Sequence, residues 1–328
     1  MIGRVMSETY TIDPTLHPDP GSCAFDLNAA LSSVVSVHTK VPDNAYTVQA
    51  LGDERAGHGV VISDTGLVVT IGYLIVEAEQ IWMTDHTGQV VPGHVVGYDQ
   101  ETGFGLVQAL GRLNAPAMPL GSARDLHVGD PVILAGHGGT KGAVSAVIAD
   151  KREFAGYWEY LLDEALFTEP PHPFWGGAAL IDTDGRLCGI GSLFVQKNPG
   201  ELDSFDGNMI VPIDILVPIL DDLQRFGAAQ HPPRPWIGAL SAEADDRVII
   251  VNTWDGGPAD EAGIEAGDMV VGVGGEPVAS LAQFYRRMWA LGAAGVDVPL
   301  NIVRDGRLAE VSITSADRSA FYLAPKLH

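Results

Sequence analysis

PPHPFWGGAALIDTDGRLCGIG, residues 170–191, is the stretch whose reading decides the fold. Ala178 to Ile181 is an apolar run, Asp182-Thr183-Asp184-Gly185 is a hairpin signal, and Leu187 to Ile190 returns as a second strand. Phe174-Trp175-Gly176-Gly177 sits just ahead of the first strand. Working outward, the chain from about 35 to 110 reads as strand after strand, broken at Asp64-Thr65-Gly66, His86-Thr87-Gly88 and Pro92-Gly93. That spacing predicts a six-stranded antiparallel barrel. A second set of strands runs from about Ala117 to 211 and contains the opening stretch.

Composition agrees with a β-rich, multi-domain chain. The 328 residues are too many for one ordinary domain, and 46% hydrophobic content supplies a sizeable core. Thirty-nine glycines and 21 prolines suit a turn-rich architecture. Nineteen basic against 42 acidic side chains leave a net charge of −23, which excludes nucleic acid as a partner. Cys23 and Cys188 stand far apart in no metal spacing, so neither a disulfide framework nor a metal site is expected, and no motif calls for a cofactor. No apolar run approaches the ~20 residues of a membrane helix. The start, MIGRVMSETYTID, has no apolar signal region, and Met6 is an alternative initiator. A cytoplasmic location is the expectation, or a periplasmic one if the N-terminus is incomplete.

The opening stretch resembles the trypsin-like serine proteases, in particular the HtrA (Deg) family, whose nucleophile lies in Gly-Asn-Ser-Gly-Gly-Pro-Leu. Aligning the paired glycines puts Pro173 on the first glycine, Phe174 on the asparagine and Trp175 on the serine. GHGVVI (57–62) and GLVVTIGYLI (66–75) resemble the family's histidine region and put Tyr73 on the histidine. GYDQETGFGL (97–106) resembles its aspartate region and puts Gly103 on the aspartate, with Asp99 on an earlier, non-catalytic one. Acyl transfer by a hydroxyl needs a base and an orienting carboxylate. Tyrosine is a poor base, glycine carries no charge and tryptophan no nucleophile. Of the two oxyanion donors the resemblance implies, the one at Pro173 has no N–H. Tyr73, Gly103, Trp175 and Pro173 together predict a degenerate triad and no enzyme. Ser145, Ser192 and Cys188, with His58, His137 and His172 as bases, are the candidates for relocated chemistry.

Residues 236–315 resemble a PDZ domain along their whole length, through WIGAL (236–240), GGPADEAGIEAGD (256–268), VVGVGGEPVASLAQF (270–284) and PLNIVRDGRLAEVSI (299–313). Pro258 at the first helical position and Gly263 just past the end bound a short helix. Ser280 and Gln283 read as a capping box for a helix with Leu281, Phe284, Tyr285, Met288 and Leu291 on its apolar face. The resemblance implies that Ile237-Gly238-Ala239-Leu240 receives a peptide carboxylate on its N–H groups. Leu281, Phe284, Tyr285 and Met288 would form the opposite wall.

The fold class expected is all-β, a trypsin-like double six-stranded barrel followed by a small α+β PDZ domain. The division is an N-terminal arm (1–24), the double barrel (25–226), a Pro-rich linker (227–235), the PDZ domain (236–316) and a tail (317–328). Within 213–226 a closing helix kinked at Pro218 is expected. The function read from these residues is a catalytically inactive HtrA-like protein that binds a protein or peptide partner as a scaffold, adaptor or complex subunit. Two other readings stay open: an endopeptidase or hydrolase with relocated catalytic residues, and a holdase-type chaperone. The residues set neither the partner nor the oligomeric state.

Overall fold

The computed structural model describes residues 11–196 and 206–323. Met6, named above as an alternative initiator, lies outside the described residues. By contacts the chain forms two compact units. One holds the chain up to Arg152 together with Glu164–Gln230, and the other joins Glu153–Asp163 to His231–Tyr322.

The first unit is two closed six-stranded barrels. Barrel one comprises β1 (Val34–Lys40), β2 (Glu54–Val61), β3 (Leu67–Ile71), β4 (Gln80–Thr84), β5 (Val90–Tyr98) and β6 (Phe104–Ala109). Barrel two comprises β7 (Pro131–Ala135), β8 (Ala143–Gly156), β9 (Tyr160–Glu169), β10 (Ala179–Ile181), β11 (Leu187–Val195) and β12 (Gly207–Pro212). Their orders, β1-β2-β3-β6-β5-β4 and β7-β8-β9-β12-β11-β10, are the same path repeated six strands later. Closure leaves no unpaired edge, and the β-branched inward positions fill each interior. Val132, Leu134, Val144, Ile148, Leu166, Leu180 and Ile210 belong to the second core. Phe25 lies against Gly185, whose φ of +79° lets the chain turn between β10 and β11.

Short helices accompany the barrels: α1 (Leu27–Ser32), capped by the Asp26 carboxylate on the Ala29 N–H at 3.0 Å, and α2 (Val48–Leu51). The closing segment differs from the single kinked helix expected. Ile213–Ile215 and Val217–Ile219 are separate 3-10 turns, and only α3 (Leu220–Phe226) is α-helical. Pro218 has no N–H to continue a ladder, so the chain restarts there instead of bending.

The second unit contains a sheet ordered β13 (Ala239–Ala244), β14 (Arg247–Thr253), β15 (Met269–Val273), β17 (Asp297–Arg304) and β18 (Arg307–Thr314), with β16 (Glu276–Pro277) paired to β15. Helices α4 (Pro258–Glu261) and α5 (Leu281–Ala290) complete it. Ser280 Oγ accepts the Gln283 N–H at 3.2 Å, but Gln283 Oε1 reaches back to the Ala279 N–H at 3.1 Å, one residue earlier than a capping box requires. Among the described residues no helix is long and apolar enough to cross a membrane.

Candidate functional site

Two places carry the residues singled out in the sequence: the seam between the barrels, and the groove of the PDZ domain.

At the seam, β3 runs into a 3-10 turn, Gly72–Leu74, that presents Tyr73. Its hydroxyl donates to the Ser192 carbonyl at 2.9 Å, and the Trp175 side chain hydrogen-bonds it. Burial raises the Tyr73 pKa, so the phenol stays protonated. The Trp175 ring lies against Phe194, centroids 5.6 Å apart. Gly103 has φ +81°, donates its N–H to the Asp99 carbonyl at 2.9 Å and accepts from the Gly72 N–H at 2.7 Å. The residue at 103 is therefore the left-handed closure of a turn, a conformation glycine adopts without strain. Pro173 stands in a pinned loop: the His172 N–H donates to Asn208 Oδ1 at 2.7 Å, and the Phe174 N–H donates to His172 Nδ1 at 3.0 Å.

The three histidines converge at the same seam. The His137 N–H donates to His58 Nδ1 at 3.1 Å, and the His58 and His172 rings meet edge-on with centroids 6.2 Å apart. His172 Nε2 donates to the Gly142 carbonyl at 2.8 Å. Burial, then the neighbouring His172 and His137, lowers the His58 pKa to about 3, and burial also lowers that of His172. Both imidazoles are neutral at ordinary pH. Of the candidate nucleophiles, Ser145 is exposed on β8, and burial lifts the Cys188 thiol to about 12, far from a thiolate. Ser192 is buried at the seam and meets Tyr73 through its carbonyl. Among the described residues no three His, Cys, Asp or Glu side chains are grouped to hold a metal.

The histidine shifts predict acid lability. Unfolded histidine takes up a proton below its ordinary pKa of 6.5, and the folded His58 does not until about 3. Stability is therefore full above 6.5 and falls by up to ~1.4 kcal/mol per pH unit per histidine below it. Denaturant midpoints between pH 7 and 4 check this. In His58→Gln the slope is shallower; an unchanged slope contradicts the assignment.

In the second unit the N–H groups of Ile237, Gly238 and Ala239 converge on one carboxylate, that of Glu159. Gly238 and Ala239 donate to Oε1 at 2.8 and 2.9 Å, and Ile237 donates to Oε2 at 3.1 Å. Gly238, with φ +75°, provides the left-handed step that lets successive N–H groups point to one side, an anion-binding nest. Leu240 follows in β13 and is half-buried. Leu281, Phe284, Tyr285 and Met288 are all buried on α5, and Tyr285 is the one whose hydroxyl meets the same hairpin, donating to the Gly156 carbonyl at 2.8 Å. Glu159 was missed in the sequence. Its only local signal is an acid among aromatics (Tyr157, Trp158, Tyr160), and no spacing rule ties it to residues 79 positions away.

A trypsin-like peptidase domain matches residues 57–190 and a PDZ domain matches 235–314. The fold and the matched segments together define a protein of the class that couples these two domains. DegP-like and DegS endoproteases are among its relatives, and HtrA-type proteases among its structural neighbours. It is similar to the probable periplasmic serine endoprotease DegP-like of Halomonas elongata, with 26% identity over 82% of this chain and 58% of the relative. The Chlamydia pneumoniae relative of the same name is 25% identical over 79% of this chain and 54% of its own length. The chain thus spans a little over half the length of these relatives. Serine endoprotease DegS of Salmonella typhimurium is 26% identical and is matched almost end to end, 94% of this chain and 92% of that one. Among solved structures, the serine endoprotease from Yersinia pestis (24% identity, TM-score 0.52, 89% and 96% covered) shares the fold. So does the HtrA-type protease AlgW with decapeptide (19%, TM-score 0.52, 89% and 97%).

These relatives correct two expectations. The chain was expected not to be an enzyme, yet the relatives are named serine endoproteases over about four fifths or more of its length. That expectation rested on residue types at Tyr73, Gly103, Trp175 and Pro173. Residue types at those four positions do not exclude an enzyme, and His58, His137 and His172, which the sequence offered as other bases, are brought together by the fold. The cytoplasmic expectation is overturned as well, because the DegP-like relatives are named periplasmic. It rested on not finding an apolar signal region in MIGRVMSETYTID, and a motif not found there carries no location.

Proposed function

We propose that this chain engages polypeptides through its PDZ domain, taking a chain end or extended segment between β13 and α5 with its carboxylate on the Ile237-Gly238-Ala239 N–H groups. The observation that carries this reading is the convergence of three N–H groups on a single carboxylate. A row of oriented backbone donors beside an edge strand is what carboxylate capture with strand addition requires. The relatives' names support a periplasmic or envelope setting.

The test compares fluorescent peptides with an apolar last residue, as free acid and as amide. The acid binds at least ~10-fold tighter, because an amide presents an N–H to the nest's N–H groups and leaves them unpaired. Replacing Gly238 by valine removes the difference, since a side chain there disfavours φ +75° and meets the Trp236 ring at 3.1 Å. Equal affinity for acid and amide rules the reading out.

A second reading, favoured by the relatives' names, is peptide-bond hydrolysis in the barrel unit with catalytic groups at positions other than those aligned with the family's triad. A fluorophosphonate probe then labels one serine, and replacing that serine stops casein cleavage. An unlabelled protein that leaves casein intact ends this reading.

A further inference from the structure

Resting on the peptide-binding reading, we propose that the PDZ groove is closed by a segment of the same chain. The tip of the β8–β9 hairpin is a built-in competing ligand, with Glu159 in the place of a peptide's terminal carboxylate.

Four contacts make the hairpin a ligand mimic. The carboxylate of Glu159 takes the three nest N–H groups. One residue pair further along, the Ser241 N–H of β13 donates to the Tyr157 carbonyl at 2.8 Å. β13 is the edge strand of its sheet, so this is a backbone contact where an added strand would make one. Leu161 is buried in the apolar cluster that includes Ile237, Ala239, Phe284 and Met288, and Ala155 packs against that cluster. On the α5 wall, the Tyr285 hydroxyl donates to the Gly156 carbonyl and accepts the Glu159 N–H at 3.3 Å. Anion, strand edge, apolar anchor and helix wall are the recognition elements of a PDZ ligand, and residues 155–161 contact them all.

The docked tip also carries costs that make it displaceable. Glu159 has φ +60°, a strained region for a residue with a side chain, and it is 7% exposed. Burial raises its pKa to about 7 against the three N–H bonds and the Arg318 charge. Arg286 reaches Asp163 and Glu153 at the half-exposed flank, where ion pairs contribute little. A peptide whose terminal carboxylate reaches the nest from an ordinary strand conformation makes the same bonds without the backbone strain. If the groove is open in only about one molecule in a hundred, the apparent affinity is lowered about 100-fold.

The experiment uses the whole chain in three forms: unchanged, Glu159→Ala, and Glu159→Gln. The glutamine variant keeps the size of the side chain and turns one acceptor into a donor facing the nest. Two quantities are read: affinity for the free-acid apolar peptide, and hydrogen exchange at Ile237–Ala239 and Ser241 with no peptide added. Both variants bind the peptide at least ~10-fold tighter. Exchange at those four amides accelerates by a similar factor, while β14 and β15 stay protected. In the unchanged protein, saturating peptide releases the protection of residues 155–160. Equal affinity in all three forms, or peptide binding with the hairpin still protected, overturns self-occupation and leaves the peptide reading intact. Faster exchange in the variants with no peptide bound by any form upholds self-occupation and sinks the peptide reading. Unchanged exchange with no binding overturns both.

Discussion

Gly177→Ala lowers the stability of the barrel unit by about 4 kcal/mol or more, close to the whole margin of an ordinary domain. Gly177 has φ +78°, and a Cβ there would overlap the His58 carbonyl and sit 2.8 Å from Thr70 Oγ1. Neither neighbour is free to move. The His58 carbonyl accepts the Thr70 hydroxyl at 2.6 Å, and the His58 N–H donates to the Gly176 carbonyl at 2.8 Å. Gly177 itself donates to the Gly191 carbonyl at 2.9 Å. Strain and overlap therefore add. At ~2–4 °C per kcal/mol for a unit of this size, the melting temperature drops by about 10 °C. Differential scanning calorimetry checks this, and a drop below about 3 °C would contradict the close approach at the seam.

Arg55→Ala has the second largest effect, a loss of about 3–5 kcal/mol. This guanidinium is 5% exposed and lies under the turn that carries Tyr73. It donates to the carbonyls of Tyr73 and Val76 at 2.9 Å each, to that of Gly52 at 3.1 Å and to Thr47 Oγ1 at 2.7 Å. Thr47 in turn bonds the Glu77 carboxylate through its N–H at 2.7 Å and its hydroxyl at 2.5 Å. Removing Arg55 strands several buried acceptors at once, each costing about 1–3 kcal/mol. Arg55→Lys recovers only part, because an ammonium has three donors on one atom and cannot reach three carbonyls and a hydroxyl spread around a planar fork. Urea denaturation measures both variants. A loss under 1 kcal/mol for alanine would show that water replaces the fork.

Self-occupation of the PDZ groove connects with the first of these arguments in kind. At Gly177 and at Glu159 the backbone adopts positive φ where another segment comes close. At Gly177 glycine makes this cheap. At Glu159 a side chain is kept at a strained position, and its carboxylate finds three donors there. Strain retained where a tight contact depends on it is the pattern expected of a position with a role.

Local chemistry was enough to read the barrels. Hydrophobic alternation over Val34–His38 and the turns at Gly66, Gly88 and Gly185 depend on neighbours a few residues away. The sequence therefore determined strand positions and their closure into six-stranded sets by itself. The PDZ boundaries of α4 and α5 follow from Pro258, Gly263 and Ser280 for the same reason. Tertiary structure alone decided the rest. The meeting of His58, His137 and His172 joins three segments whose spacing carries no signal, and so does the Arg55–Thr47–Glu77 network beneath Tyr73. The placement of Glu159 on the Ile237–Ala239 nest is the clearest case. Its bonds require the β8–β9 hairpin and β13 to be in place together, and the closing of such a contact is set by three-dimensional packing, which no local propensity encodes.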